Sequence, residues 1–269
     1  MDRKYSLAHL TVLGCPPPEM IYIAAMAGYD YVGVRPIYMG LPGEPNYDLA
    51  HLPEMLSLTK AALAETGVGL HDIELARIVA NVDLKSYEPA FEVAAELGAK
   101  HVISSIWTAD KPYYIDKFGE LCDLAAQYDL TVNLEFVTWA EVRTLAEACE
   151  VLHAVKRKNA AILIDTLHAY RSRVSPLELD AVPKDWFRMA HICDGPADIP
   201  TDKESLIFVG RDAREYVGQG AIDVAAYIER MPEDVVLSVE LPNLARVKAY
   251  GNAEHARRCL ATAKQYFAR

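Results

Sequence analysis

Residues 131–168 read TVNLEFVTWAEVRTLAEACEVLHAVKRKNAAILIDTLH, and this stretch contains one complete strand, helix and strand unit. Two short apolar runs, Thr131–Phe136 and Ala161–Asp165, enclose a segment, Glu141–Val155, whose apolar residues recur every three or four positions. Short apolar runs predict buried strands, and the spacing between them predicts an amphipathic helix. A helical crossover of this length joins neighbouring strands that run parallel.

The same alternation continues in both directions until it has occurred eight times. Several predicted helices end in a glycine, at Gly28, Gly67 and Gly98, where a left-handed C-cap is needed. The glycine-rich phosphate turn that is typical of an open doubly wound sheet is absent from the sequence. A closed (β/α)8 TIM barrel, formed as a single domain over residues 1–269, is therefore predicted. The predicted strands are Leu7–Leu13, Asp30–Arg35, Gly67–Leu75, His101–Trp107, Thr131–Phe136, Ala161–Asp165, Phe187–Cys193 and Val235–Leu241.

The composition and charge indicate a globular protein and disfavour a nucleic-acid partner. Apolar residues make up 52% and charged residues 24% of the 269 residues, which is enough for a large core. The 38 acidic and 27 basic residues give a net charge of −11, which disfavours a nucleic-acid partner. The first residues contain no signal or membrane segment, and the widely spaced cysteines are expected to be reduced thiols. A cytoplasmic protein without a membrane partner is therefore expected, and a homo-oligomer is compatible with the sequence.

Four consecutive predicted strands end on a side chain that can bind a metal ion. These are Glu135 in TVNLEF, Asp165 in ILIDTLH, His191 in MAHICD and Glu240 in LSVELPN. Alone, each could cap a helix or fill the core, but the C-terminal strand ends of a barrel converge at its mouth. Three carboxylates and one imidazole suit a divalent ion, above all Mn²⁺, with Mg²⁺, Co²⁺ and Zn²⁺ as alternatives. The four residues are therefore predicted to form one metal site.

Three other histidines fall outside this pattern. His101 lies where the fourth predicted strand begins, and His9 and His71 precede the predicted ends of their strands. Because the active sites of such barrels form at the C-terminal ends of the strands, none of the three is predicted to bind the metal.

These motifs resemble those of the xylose isomerase-like TIM-barrel superfamily, the sugar phosphate isomerase/epimerase group that includes ketose 3-epimerases and inosose and 3-dehydroshikimate dehydratases. The resemblance rests on DTLH at 165–168, HICD at 191–194, GQGAID at 218–223 and VELPN at 239–243. It implies that the four residues above hold the metal, that His168 contacts substrate oxygens and that Glu141 binds substrate. Glu141 is equally well interpreted as an acid at the start of a helix.

The chain also departs from its relatives at the predicted mouth. Arg35 follows strand two in VGVRP, where the epimerases carry an acid, and its planar guanidinium could bind a carboxylate or phosphate. This favours an anionic substrate. Arg211 and Arg214 lie in the long loop GRDAREYVGQG, where they either face the substrate or pair with neighbouring acids in solvent. Trp107, at the end of strand four, is also assigned to the substrate pocket.

The resemblance implies a metal-dependent sugar isomerase or epimerase that removes a proton next to a carbonyl. Glu135 and Glu240 would exchange this proton through an enediolate. Two alternatives stay open. The same apparatus could act as a metal-dependent dehydratase or lyase on a keto-polyol or keto acid, or the barrel could be a non-catalytic sugar-binding or partner subunit.

Overall fold

Eight parallel strands close into a barrel in the computed structural model, which describes residues 3–40 and 44–268. Each strand pairs with the next along the chain, and the last pairs with the first, Ser238 lying opposite Ser6. The predicted closed (β/α)8 barrel is therefore confirmed. The strands are β1 Tyr5–Ala8, β2 Tyr31–Val34, β3 Gly69–Ile78, β4 His101–Ile106, β5 Thr131–Glu135, β6 Ala160–Asp165, β7 Phe187–Ile192 and β8 Val236–Val239.

Helices surround the barrel, and their ends follow the signals in the sequence. Gly28, Gly67 and Gly98 all have positive φ, as their predicted positions after helices require. Within the two described ranges, no helix combines the length and apolar content needed to cross a membrane. The helices are α1 Pro17–Ala27, α2 Pro53–Thr66, α3 Glu88–Glu96, α4 Lys111–Ala126, α5 Leu145–Val155, α6 Thr166–Arg171, α7 Lys203–Asp212, α8 Val224–Ile228 and α9 Leu244–Phe267, with 3₁₀ turns at His9–Val12, Leu84–Tyr87, Pro176–Ala181 and Lys184–Trp186.

The two largest errors in the predicted boundaries, at the end of the first strand and the start of the helix after β5, have local causes. The first strand ends at Ala8, because the His9 ring bonds the carbonyl of Cys15 and the N–H of Arg35 and so holds a 3₁₀ turn. The helix predicted from Glu141 begins at Leu145, because the Thr144 side chain caps it.

Two separate clusters of buried side chains fill the molecule. Ile103 of β4, Leu163 of β6 and Met189 of β7 contact one another without joining the main core. Because β4 and β6 are not neighbours in the sheet, such contacts cross the barrel interior and form its inner plug. The main core packs between the strands and the helices. The five cysteines are free thiols, four of them buried, as predicted.

Candidate active site

The four predicted metal-binding residues meet at the mouth of the barrel. Glu135, Asp165 and His191 lie at the C-terminal ends of β5, β6 and β7, and Glu240 directly follows β8. One ligand atom from each residue lies within 4.8 Å of the others, and all four side chains are buried. Asp165 and His191 are direct neighbours in the β6–β7 register. Strand order and register therefore bring together groups that are far apart in the sequence.

The charges at the mouth are strongly coupled. His191 Nδ1 lies 3.3 Å from Glu240 Oε2 and 3.7 Å from Glu135 Oε1. Burial raises the pKa of Glu135 to about 7. Burial would lower the pKa of His191, but the charges of Glu240 and Glu135 outweigh it and raise that pKa well above its ordinary value. In Glu240 the opposite happens, since His191 and Arg214 overcome burial and hold its pKa well below its usual range.

Arg214 is a member of this site that the sequence had placed only in the loop after β7. Its Nη1 lies 2.6 Å from Asp165 Oδ2, and its Nη2 lies 2.7 Å from Glu240 Oε2. Its Nε donates to the carbonyl of Gly210 at 2.8 Å, and the side chain is 2% exposed. A fully buried arginine at this position offsets part of the negative charge of the carboxylates.

The mouth still contains polar atoms that no protein group satisfies. Glu135 Oε1 and both ring nitrogens of His191 are buried and have no hydrogen-bond partner. Such atoms are rare in native proteins and indicate a missing ligand. Carboxylate oxygens and an imidazole nitrogen are donors that a divalent cation takes, so the residues present fit a metal ion.

Within the described part of the chain, no second group of three or more possible metal ligands exists. His9, His71 and His101 therefore lie outside the metal-competent group, in agreement with their positions in the sequence.

A single carboxylate shapes the loop that carries Arg214. Asp194, directly after β7, accepts hydrogen bonds from the backbone N–H groups of Gly195 at 2.8 Å, Gly218 at 3.0 Å and Ile222 at 2.9 Å. Its backbone also pairs with Glu215 in an isolated antiparallel bridge. The HICD and GQGAID motifs thus fold the loop back over the barrel. This places Arg214, the residue before Glu215, in contact with Asp165.

A cavity of about 460 Å³, lined by Glu135 and Glu240 of this group, is called the mouth cavity here. Arg35, Trp107, His168 and Arg211 all line it, as their assignment to the substrate pocket requires, and their contact with substrate stays a prediction. Glu141 is absent from the lining. Its backbone N–H donates to the carbonyl of Ile106, the last residue of β4. Glu141 lies three residues before Thr144, the N-cap of α5, and its contact with substrate stays a prediction.

Comparison with known proteins agrees with this geometry. Residues 21–263 match the family described as xylose isomerase-like TIM barrel. The chain belongs to this family. The family predicted from the DTLH, HICD and VELPN motifs is thereby confirmed.

Relatives of the chain in this family include two proteins named inosose isomerase. The one from Bacillus subtilis is 30% identical over 176 residues, which is 60% of each chain. The one from Bacillus velezensis is 27% identical over 241 residues, which is 80% of this chain and 79% of the relative. The match thus spans about three fifths of the first relative's length.

Solved structures of the same fold cover almost the whole chain. The crystal structure of the IolI protein with a bound zinc atom superposes with a TM-score of 0.79 at 22% identity, covering 98% of this chain and 97% of that one. A D-allulose 3-epimerase from Methylomonas sp. in complex with D-allulose gives a TM-score of 0.71 at 18% identity, covering 98% and 97%. At these identities the likeness shows the shared fold.

Arg35 of this xylose isomerase-like barrel is not the uncompensated cation that the sequence suggested. Its Nη1 lies 3.0 Å from Glu74 Oε2, and its Nη2 lies 3.6 Å from Glu44 Oε1. All three side chains line the mouth cavity. The argument for an anionic substrate from a free Arg35 is therefore wrong, because two carboxylates already balance its charge.

Glu74 was missed in the sequence although it is a buried acid that lines the mouth cavity. It lies in β3, whose register with β4 shifts between Ile73 and Ala76, so the strand does not alternate regularly there. Burial raises the pKa of Glu74 to about 7 despite the opposing charge of Arg35. The available signal was an acidic residue between two apolar neighbours, Ile73 and Leu75, inside a strand.

The wall beside His168 is built by a second tryptophan that sequence inspection also missed. The ring of Trp139 meets the ring of His168 edge to face, with centroids 4.9 Å apart. A Cβ on Gly210 would lie 2.3 Å from the Trp139 ring, so only glycine permits this contact. Burial lowers the pKa of His168 to about 4, which leaves the imidazole neutral at neutral pH.

Proposed function

We propose that this protein is a divalent-metal-dependent isomerase or epimerase of a polyhydroxylated ketone. The observation that carries the proposal is the buried group of Glu135, Asp165, His191 and Glu240, whose ligand atoms lie within 4.8 Å of one another below the mouth cavity. Buried carboxylates at this density need a compensating cation. The names of the relatives, inosose isomerase, support the isomerase class.

The two glutamates supply the proton chemistry of the proposed reaction. When bound, the metal ion acts as a Lewis acid that makes a C–H next to the substrate carbonyl acidic. Glu135 and Glu240 reach the cavity from β5 and β8, three strands apart around the barrel, and so approach a substrate from different sides. One carboxylate removes the proton to leave an enediolate, and the other returns a proton to the opposite face or to the adjacent carbon.

The remaining side chains bind and orient the substrate. His168 is neutral and offers one ring nitrogen to the cavity side, while Thr138 Oγ1 lies 3.2 Å from its Nδ1. Trp107 and Trp139 provide flat apolar walls, and Arg35 with Glu74 provides adjacent donors and acceptors. Because the charge of Arg35 is already balanced, we propose that the substrate is neutral and polyhydroxylated, as an inosose is.

The ligand set supports an oxygen-preferring metal ion. Three carboxylates and one imidazole, without a thiolate, suit Mn²⁺ best, with Mg²⁺, Co²⁺ and Zn²⁺ as alternatives. The IolI relative holds zinc. Elemental analysis of the purified protein tests this choice directly.

The experiment for the proposed reaction uses the metal-loaded protein in deuterated water. Inososes and ketohexoses are supplied separately, and NMR follows both the formation of an isomer and the exchange of the hydrogen next to the carbonyl. We expect deuterium at that carbon together with a new isomer. Glu135→Gln and Glu240→Gln should abolish both signals, and Asp72→Asn at the other end of the barrel serves as the matched control.

The same measurement separates the two other functions. Loss of water with a new conjugated carbonyl would replace the isomerase with a dehydratase. If no hydrogen exchange and no bound metal are found, and neither chelator nor Mn²⁺ changes the thermal stability, the protein is a non-catalytic binding subunit.

A further inference from the structure

A second pocket lies next to the mouth cavity, between the loops that follow β5, β6 and β7. Its volume is about 200 Å³, and it is called the arginine pocket here. Two arginines, Arg143 and Arg171, and three hydroxyl side chains, Thr138, Thr144 and Ser172, line it together with apolar residues. Within the described part of the chain, no acidic side chain belongs to this lining. The proposed isomerase reaction does not use this pocket.

Arg171, the last residue of α6, is a buried cation with unused hydrogen-bond donors. Its side chain is 5% exposed, and its Nη1 donates to the carbonyl of Leu206 at 3.3 Å. Its Nε and Nη2 are buried and have no partner. A buried guanidinium is costly unless an acceptor satisfies each of its donors, so the contacts of Arg171 are incomplete.

Nearby protein groups do not supply the missing acceptor. Burial lowers the pKa of Arg171, and the like charge of Arg214 lowers it further, while Asp165 opposes both. Asp165 is already engaged, because its Oδ1 accepts the N–H of Leu167 at 2.7 Å and its Oδ2 binds Arg214 at 2.6 Å. The arginine pocket therefore has an excess of positive charge.

Arg143 adds a second cation whose backbone is held in place. Its N–H donates to Glu147 Oε2 at 2.7 Å, and its carbonyl accepts the Ser172 hydroxyl, which follows Arg171 in the chain. Its guanidinium forms no hydrogen bond or ion pair with any described residue. A fixed backbone with an unengaged guanidinium leaves Arg143 able to close over a ligand next to Arg171.

We propose that the arginine pocket binds a small oxyanion of the phosphate or carboxylate class. Two guanidinium groups provide charge-assisted donors, and the hydroxyls of Thr138 and Thr144 provide further polar contacts. The pocket adjoins the proposed active site through Thr138, whose Oγ1 lies 3.2 Å from His168 Nδ1. An oxyanion held by Thr138 lies one side chain away from the mouth cavity.

The test measures the binding of inorganic phosphate, and separately of acetate, to the metal-loaded full chain at constant ionic strength. Calorimetry gives the dissociation constant, and thermal unfolding gives the stabilisation beyond that of sodium chloride. We expect saturable binding of at least one of the two anions. Arg143→Gln should weaken it by about tenfold, the size of one charge-assisted hydrogen bond. The matched control, Arg188→Gln, removes an exposed arginine from β7 at the opposite end of the barrel and should bind the anion as the wild type does.

A second variant tests the buried cation itself. Arg171→Met keeps an unbranched apolar stem and removes the charged guanidinium, so we expect anion binding to be lost. In buffer without either anion, the midpoint of thermal unfolding should be no lower than that of the wild type, because an unsatisfied buried charge has been removed. Retained anion binding in this variant would overturn the proposal.

The mouth cavity also contains arginines, so the location of the anion needs its own control. Arg211→Gln, which alters only the mouth cavity, should leave the affinity for the anion unchanged. If the affinity falls in Arg211→Gln and persists in Arg143→Gln, the anion binds at the mouth and the proposal fails. Absence of binding of both phosphate and acetate in the wild type would also overturn it.

Discussion

The two ends of the barrel interior both bury polar side chains, but they arrange them differently. At the N-terminal end, His71 Nδ1 lies 3.1 Å from Asp72 Oδ2, and the His71 ring contacts that of His101 in a tilted arrangement, with centroids 4.7 Å apart. Asn133 Nδ2 lies 3.3 Å from His101 Nδ1. This end holds the Asp72 carboxylate beside neutral or oppositely charged side chains, and Asp72 Oδ1 and Asn133 Oδ1 are buried there without a hydrogen-bond partner.

The C-terminal end instead concentrates like charges. Glu135, Asp165 and Glu240 converge there, and even with Arg214 in place Glu135 Oε1 and the ring nitrogens of His191 lack hydrogen-bond partners. The difference teaches that burial of polar groups does not by itself mark a site. A concentration of like charges does, because it requires a further cation.

The largest expected effect compares one carboxylate from each end. Glu240→Gln should lower kcat by on the order of 10³-fold and weaken metal binding, because it removes a ligand charge and a proton carrier. Circular dichroism should show an intact barrel. Asp72→Asn should keep kcat within about fivefold, since it lies outside the metal-competent group. Similar losses in both variants would remove the distinction between the two ends.

The increase in unfolding free energy on metal binding should depend on carboxylates at the C-terminal end and not on Asp72 at the N-terminal end. Addition of Mn²⁺ at a hundred times its dissociation constant should stabilise the wild type by about 2.7 kcal/mol, and a chelator should reverse this. Asp165→Asn should lose the shift, and Asp72→Asn should keep it. Urea unfolding with and without the metal measures it, and a shift retained by Asp165→Asn would contradict the assigned site.

Acid should destabilise the N-terminal end through His101. Burial, aided by the neighbouring His71, lowers the pKa of His101 to about 3, whereas the unfolded chain has the ordinary value near 6.5. Between these values the unfolded chain binds more protons, so stability falls as the pH drops from 6.5. The loss attributable to His101 should be about 2 kcal/mol at pH 4.5.

Urea unfolding of the wild type and of His101→Gln at pH 7 and pH 4.5 isolates this contribution. The variant should lose less stability than the wild type over the same pH interval. Equal losses would mean that His101 is already protonated in the folded protein, and the N-terminal end would then carry more charge than its contacts indicate.

The smallest expected effect concerns Arg35 at the mouth. Arg35→Leu should lower kcat/KM by about tenfold, as loss of one charge-assisted hydrogen bond to a substrate hydroxyl does. Because Glu74 and Glu44 balance its charge, a neutral substrate and an anionic analogue should lose equally. Steady-state kinetics on both compounds checks this, with Arg188→Leu at the other end as control. A fall in kcat/KM for the anionic analogue alone would support an anionic substrate instead.

Much of the candidate site could be predicted because strand ends are readable in a sequence. The runs that end in Glu135, Asp165 and His191 are short, apolar and bounded by loops, and parallel strands in a barrel must end at one mouth. The position of a loop residue in the folded protein cannot be read from the sequence in this way. Arg214 reaches the carboxylates only because Asp194 folds its loop back, which no local pattern predicts.

The sequence by itself determined the barrel, the family and the four residues that converge on the metal-competent group, because each depends on local periodicity and on position along a strand. Only the tertiary structure decided the partners of the cations. Glu74 balances Arg35 across the register shift of β3, and the arginine pocket forms where three separate loops meet. Ion pairs between loops depend on the three-dimensional path of the chain, and spacing in the sequence does not encode that path.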